Sequence, residues 1–405
     1  MSQTGMASPP GNAASPGAHG PVWGMLIALS ACHFINDVMQ SMLQALYPLL
    51  EAEFSLKYWQ IGALTLAFQG TASIFQPIVG MVTDKHPMPR SLPVGMAMTF
   101  IGIWMLAKGG SYAMIVLGAS MIGLGSAVFH PESSRAARLA SGGRYGTAQS
   151  LFQVGGNTGS ALGPVLAALI VVPLGRDAVA WFSIAAAIGI VLLWQVGTWS
   201  EGLRKAASRI AARGHGIPRA RVNLTIIVLL ALVFSKYVYQ TTLSSFLTLY
   251  LIERFAVSQT TALIVLAIFL GGMAAGVMLG GTIADRIGTR SVIWFSIMGA
   301  LPFTLALPWA GFWLTCVLVF VIGLIMASAF PAVIVYAQEL LPGRPGMVAG
   351  LFFGFAFGVA GVAAVLLGMI ADVHGIEFVY HVSAWLPALG VIAVFLPPLH
   401  PLGRA

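Results

Sequence analysis

Three ionisable side chains in the 405-residue sequence lie where charge is expensive: Asp37, Glu132 and Lys236 each interrupt a long apolar run. A charged group at the centre of a lipid-embedded helix costs at least about 2.5 kcal/mol, so those that persist there mark pathways, ligand sites or structural pairs. Protonation removes the charge of an acid and with it the cost of occluding that acid, which assigns Asp37 and Glu132 to proton exchange. His130, two positions before Glu132 across Pro131, joins them. Lys236 is the basic residue well inside a span. It suits an anion, with Asp37 as its expected partner when no anion is bound.

Polar residues recur around these three at helical spacing. His33, Asp37, Gln40 and Gln44 form one stripe, Gln149, Gln153, Asn157 and Ser160 a second, and Lys236, Gln240, Ser244 and Thr248 a third. The stripes are expected to line a wet cavity, with His33, Gln40, Gln153, Asn157, Lys236, Tyr237 and Gln240 in contact with a small-molecule substrate. A single Ser or Gln in a span serves an interhelical hydrogen bond about as often.

The elements that must position these residues follow from composition. With 58% hydrophobic and 8% charged residues, against about 25% charged in soluble domains, the chain is not a water-soluble globule. Uncharged runs such as 109–131, 178–200, 291–338 and 345–371 reach or exceed the roughly 20 residues that cross a bilayer as helix. Charges, Pro and Gly punctuate twelve predicted spans near 22–50, 58–83, 91–108, 112–132, 146–172, 178–200, 222–250, 258–284, 291–309, 312–337, 346–371 and 378–397. The expected fold class is all-α integral membrane, with two six-helix bundles at 22–200 and 222–397, a basic cytoplasmic linker at 201–221, and cytoplasmic tails at 1–21 and 398–405. The first 20 residues carry no Lys or Arg and are rich in Pro, Gly, Ala and Ser, unlike a signal peptide, and read as disordered.

With both termini inside, fifteen of the 20 Lys and Arg fall on the cytoplasmic side. The net charge of +8 is spread over short loops, so it reports membrane orientation and not a nucleic-acid partner. Cys32 and Cys316 both sit in apolar segments and suggest neither a disulfide framework nor a thiolate metal site.

The halves resemble each other. At an offset of 200, Gly123, Leu124, Ala127 and Pro131 meet Gly323, Leu324, Ala327 and Pro331, and Gly143, Arg144 and Gly146 meet Gly343, Arg344 and Gly346. Such a duplication builds transporters whose halves rock about a site at the bilayer midplane. His130 and Glu132 correspond to Phe330 and Ala332, which places proton chemistry mainly in the first half.

Between spans 2 and 3 the chain reads Gly80-Met-Val-Thr-Asp84-Lys85 and ends at Arg90, and between spans 8 and 9 it reads Gly281-Thr-Ile-Ala-Asp285-Arg286-Ile-Gly288-Thr-Arg290. Both resemble the signature loop of the major facilitator superfamily, although Pro87 stands where the first copy should have its second Gly. The helix-end acid is expected to pair with a cation or a neighbouring helix N-terminus in one conformation and to release it in another, a gating role. Three glycine series at four-residue spacing, Gly155, Gly159 and Gly163-Pro164, Gly272, Gly276 and Gly280, and Gly350, Gly354 and Gly358, are expected to let helices approach closely and slide across the two halves.

Walker A spacing is absent before every lysine, no Ser/His/Asp, Cys/His or HExxH arrangement occurs, and no potassium-filter sequence is present. The chain is therefore read as neither an ATPase, an enzyme nor a potassium channel. No cofactor or metal is called for, the driving force is a proton gradient, and a monomer in the lipid bilayer suffices.

His33-Phe-Ile-Asn36-Asp37, Phe129-His130-Pro131-Glu132-Ser-Ser-Arg135, Ser141-Gly-Gly-Arg144, Phe152-Gln153-Val-Gly-Gly-Asn157 and Phe234-Ser-Lys236-Tyr237 resemble the fosmidomycin resistance protein group of that superfamily. The resemblance implies a bacterial inner-membrane drug exporter, a proton antiporter associated with a small anionic phosphonate antibiotic. Gly159-x-x-x-Gly163-Pro164 also resembles the span 5 motif of antiporters in the superfamily, with Ala167 and Ala168 in place of its final glycines. Uptake of a small organic anion, or a nontransporting sensor or scaffold, are the alternatives.

Overall fold

Backbone N–H and C=O groups in lipid have no water to bond, so a chain this apolar must satisfy them within helices. The computed structural model describes residues 20–56, 58–86, 88, 90–207 and 218–397, and no strand occurs among them. The parts of both tails and of the linker at 1–19, 208–217 and 398–405, together with Pro87, lie outside the described residues. The first half comprises α1 (Trp23–Ala45, followed by Tyr47–Phe54), α2 (Tyr58–Lys85), α3 (Ser91–Lys108), α4 (Tyr112–Ala140), α5 (Tyr145–Leu166) and α6 (Phe182–Ala207). The second comprises α7 (Arg219–Phe255), α8 (Gln259–Ile287), α9 (Thr289–Met298, then Leu301–Ala306), α10 (Phe312–Ala327, then Ala329–Leu340), α11 (Pro345–His374) and α12 (Ile376–Ser383, then the 3₁₀ segment Leu386–Phe395).

Several helices outrun the predicted spans at the end of the molecule that carries the basic loops. The helix α4 continues from 132 to Ala140 and α8 to Ile287, while α6 and α7 take up both ends of the expected 201–221 linker. Charged residues stop a hydrophobic run but not a helix, because Arg and Lys are good helix formers once they reach water or a partner. Among the described residues, ten segments are long and apolar enough to cross a membrane; α2 and α5 are not among them.

Within the first half α1 packs on α5, α4 on α2 and α3, and α3 on α6; within the second, α11 and α12 pack on α7, and α8 on α10. The halves meet where α2 and α4 touch α11 and where α5 touches α8. The helices α3, α6, α9 and α12 turn large apolar side chains outward, among them Trp104, Ile188, Trp194, Trp294 and Val391, as lipid-facing helices must. Internal duplication shows in the turns: Gly143 and Gly343, and Gly175 and Gly375, all take positive φ, a conformation that glycine adopts without the Cβ penalty.

Candidate functional site

The α-helical repeat of α1 puts His33 and Asp37 one turn apart on a face that meets α4 and α5. His33 Nε2 lies 3.5 Å from Asp37 Oδ2 and His130 Nε2, from α4, lies 3.9 Å from Asp37 Oδ1. The far side of each ring is anchored. His33 Nδ1 is 2.7 Å from the carbonyl oxygen of Phe152 on α5, and His130 Nδ1 is 3.0 Å from that of Ser126. With Nδ1 donating to these carbonyls, which only accept, Nε2 of each neutral ring presents a lone pair to the carboxylate; His130 Nδ1 also lies 3.1 Å from the Ser126 hydroxyl. Asn36 Nδ2 and Gln40 Nε2 donate to Asp37 Oδ1 at 3.1 and 3.4 Å, and the Ser160 hydroxyl donates to Oδ2 at 3.3 Å. Gln40 Nε2 also reaches Ser126 Oγ at 3.2 Å. Both imidazoles are buried, whereas the Asp37 side chain keeps 13% exposure, and Ser160 beside it is exposed.

An aromatic partition closes the other side. His33 stacks on Phe152 with centroids 4.1 Å apart, and His130 lies 4.8 Å from Phe353 and 5.5 Å from Phe357 on α11. Phe353 in turn meets Phe330 on α10 at 5.1 Å. His130 and Phe330, equivalent positions in the repeat, thus flank one ring.

Beyond Phe330 lies Lys236. Its side chain is buried, with Nζ 4.6 Å from the ring centre of Tyr237 and 5.1 Å from that of Phe330. The expected Asp37 to Lys236 pair is not formed: Asp37 faces the two histidines, and no carboxylate among the described residues bridges to the ammonium. Sequence spacing placed both in the first span of their halves but gave no sign of the aromatic rings between them. The ring faces compensate part of the charge through cation–π attraction. Gln240, a turn further along α7, is half-buried, with Oε1 buried and without a hydrogen-bond partner. On α5, Gln153 is buried and Asn157 half-buried, and Gln149, one turn before Gln153, accepts from the Ser134 hydroxyl at 3.0 Å.

Glu132, expected beside Asp37 and His130, is placed differently. Its carboxylate accepts from Arg135 Nη2, while Arg135 Nη1 donates to Thr83 O at 2.7 Å and stands 3.5 Å from Asp84. Glu132 therefore joins the cluster around Arg135 and Asp84 and not the one around Asp37. Asp84 accepts from the backbone N–H groups of Gly346 and Met347 at 3.0 and 2.7 Å, capping α11, and Asp285 accepts from those of Gly146 and Thr147, both at 2.8 Å, capping α5. Each half thus caps a helix of the other. The motif glycines explain the approach: a Cβ on Gly80 would come within 2.2 Å of Gly346 O, and one on Gly281 within 2.2 Å of Gly146 O. Gly288, at φ +91°, turns the chain after α8. Lys85, Arg90 and Arg286 are exposed, Arg90 lying over the Trp194 ring, and Arg290 donates to Val394 O at 3.1 Å.

A further contact between the halves has no motif to announce it, because its parts are ordinary polar residues. Arg138 donates to Gln338 Oε1 at 3.4 Å and Gln338 Nε2 to Ser134 Oγ at 3.3 Å. Arg138 and Gln338 are themselves equivalent at an offset of 200, which is the signal that would have found them.

The glycine faces need one correction. A Cβ at Gly155 or Gly159 would strike Ser30 O or Phe34 O of α1, Gly163 contacts Ser41, and Gly272, Gly276 and Gly280 contact Phe320, Leu324 and Ser328 of α10. Both series pack within a half. Only the third crosses, with Gly350 and Gly354 against Gln76 O and Ser73 O of α2 and Gly358 against Ser73 Oγ. The side chain of Pro164 lies outside the description.

Duplicated halves, reciprocal caps and an acid, imidazoles and a lysine at the centre define an all-α integral membrane transporter, which is not an enzyme. The family model of the Major Facilitator Superfamily matches residues 29–264 and 228–404. The chain is 52% identical over 378 residues to the fosmidomycin resistance protein of Escherichia coli (strain K12), covering 93% of each, and 38% identical over 382 residues to the uncharacterized MFS-type transporter YfnC of Bacillus subtilis (strain 168), again 93% of each. The chain belongs to the major facilitator superfamily, in the fosmidomycin resistance protein group. Solved structures share its fold: FucP in the outward conformation at TM-score 0.73 and 15% identity, covering 92% of this chain and 99% of that one, and the human organic anion transporter MFSD10 at TM-score 0.71 and 16% identity, covering 93% and 100%.

Proposed function

We propose that this multi-pass membrane protein exports a small anionic drug, of which fosmidomycin is the first to test, in exchange for protons across a bacterial inner membrane, with both termini cytoplasmic. The observation that carries the reading is Lys236, an ammonium buried among aromatic rings with no carboxylate bridging to it among the described residues. Burying an ammonium costs several kcal/mol unless a counter-charge offsets it, and an anionic substrate supplies that charge. The relative's name, fosmidomycin resistance protein, supports the choice of ligand.

Asp37 and His130 carry the coupling proton. Two imidazole lone pairs facing a carboxylate repel one another, and a proton among them relieves that repulsion. Asp37 also has the exposure through which a proton enters. Glu132, Arg135 and Asp84 act at the gate, which is closed at the basic-loop end in this conformation. The test is a drug-susceptibility panel in an efflux-deficient bacterium expressing the chain, with fosmidomycin included. Raised resistance to fosmidomycin that Lys236→Gln abolishes, at equal membrane expression, is the expected result; susceptibility equal to the vector control for every anionic drug refutes export.

A further inference from the structure

We propose that His33, Asp37 and His130 form a binding site for one divalent transition-metal ion. Their donor atoms, His33 Nε2, a carboxylate oxygen of Asp37 and His130 Nε2, lie within 4.8 Å of one another. The nitrogen–oxygen separations of 3.5 and 3.9 Å are too long for good hydrogen bonds. The first runs to Oδ2 and the second to Oδ1, so the two imidazoles approach opposite oxygens of one carboxylate, at separations near the roughly 3.3–3.5 Å between neighbouring donors bonded at about 2.0–2.2 Å to one ion. Closing the widest donor separation from the 4.8 Å limit to that spacing takes a contraction of up to about 1.5 Å.

The second observation is how the rings are held. A metal-bound imidazole characteristically donates its other N–H to a carbonyl or carboxylate, which fixes the ring and aims the free nitrogen at the ion. His33 does so to Phe152 O and His130 to Ser126 O. Stacking of His33 on Phe152 and the tilted contact with Phe129 limit its rotation further. The carboxylate is held in the same manner by Asn36, Gln40 and Ser160. Rings that are buried and aimed from behind at one carboxylate make a preorganised donor set and not a loose surface cluster.

Donor chemistry selects the ion. Two imidazoles and one carboxylate suit Zn²⁺, Co²⁺, Ni²⁺ or Fe²⁺, whereas Mg²⁺ and Ca²⁺ require a shell of oxygens. Three protein ligands leave a coordination position open, and Asp37 is the member of the triad with exposure, so the open position lies on its side, beside exposed Ser160. An ion held there ties α1 to α4 and occupies the carboxylate assigned above to proton exchange, so on that reading Zn²⁺ stops efflux. The binding claim itself stands on the donor geometry alone.

Zn²⁺ is titrated calorimetrically into the purified, substrate-free full chain in detergent, with Mg²⁺ as the comparison. One Zn²⁺ per chain is expected, with no Mg²⁺ binding at the same concentration. His33→Gln, Asp37→Asn and His130→Gln each weaken the affinity at least about tenfold, while His374→Gln and His381→Gln leave it unchanged. Zinc-edge X-ray absorption of the loaded wild type shows nitrogen and oxygen neighbours with two imidazoles, and it decides the matter where a variant fails to fold. Wild-type protein with a sharp thermal transition that takes up no Zn²⁺, an affinity that survives all three substitutions, or a sulfur shell overturns the proposal. No substrate or gradient enters the measurement, so its failure leaves the export reading intact, and failure of the drug panel leaves the metal site intact.

Discussion

Lys236 shows how one buried charge links stability to binding. With no acid among the described residues bridging to it, its desolvation is offset there by ring faces worth roughly 0.5–2 kcal/mol. Replacing it by Gln removes a cost from the substrate-free protein and a counter-charge from the bound one. Lys236→Gln is therefore expected to raise or preserve the thermal transition while weakening anion binding at least about tenfold, or 1.4 kcal/mol. Scanning calorimetry and anion titration on the same preparation check both signs, and unchanged affinity removes Lys236 from the site. The two acids separate in the same way. Asp37→Asn is expected to abolish pH-gradient-driven efflux in proteoliposomes while downhill movement continues. Glu132→Gln leaves the buried Arg135 without its closest carboxylate, and is expected to destabilise the fold by up to about 3 kcal/mol and slow turnover while coupling persists. Efflux that is fully gradient-driven in Asp37→Asn contradicts the assignment. The sequence made the His33, Asp37 spacing legible because i, i+4 residues share a helix face. A two-residue helical step turns by about 200° and already separates His130 from Glu132, but which of them meets that pair depends on how α4 packs, which the sequence does not give.

The helices read most clearly where apolarity alone defines them; α2 and α5, which touch the other half, carry a weaker apolar signal, and their punctuation by charges, Pro and Gly is what places them at 58–83 and 146–172. A polar, glycine-bearing surface lowers the hydrophobic signal and at the same time permits close contact. Four-residue glycine spacing announced close packing without naming the partner: α5 uses Gly155 and Gly159 on α1, while its contact with α8 is made by Gly146 at its start. That distinction gives a prediction. Gly80→Ala puts a methyl group against the Gly346 carbonyl and Gly281→Ala puts one against the Gly146 carbonyl and Ser150 Oγ, and neither backbone carbonyl can move aside without parting the helices. Each substitution is expected to open the basic-loop end, seen as faster labelling of a cysteine introduced at Thr147, whereas Gly202→Ala, with open space around it, changes nothing. Labelling rates equal to the parent's would show that these contacts do not hold the halves closed.

At the scale of the whole molecule the duplication becomes a mechanism. The two halves hold one another by the same device used twice: the acid at the end of α2 caps the start of α11, and the acid at the end of α8 caps the start of α5. A carboxylate on two N–H groups at a helix N-terminus combines capping with the favourable end of the helix dipole, and loss of such a cap costs about 0.5–2 kcal/mol. Both caps must release when the basic-loop end opens, so together they bias the closed conformation by about 1–4 kcal/mol, a range that spans roughly fivefold to nearly a thousandfold in population. Asp84→Ala and Asp285→Ala are each expected to shift the equilibrium toward the open form, and the double variant further still. The shifts need not be equal, because Asp84 also faces Arg135 whereas Asp285 takes an additional hydrogen bond from the Thr147 hydroxyl. Distance distributions between spin labels at the basic-loop ends of α2 and α11 measure this directly, and substrate titration of the same proteins shows whether affinity is spared. A double variant with the parent's distribution would mean that the caps follow the conformational change without driving it. A large loss of affinity with normal cycling would move these acids from the gate to the binding site.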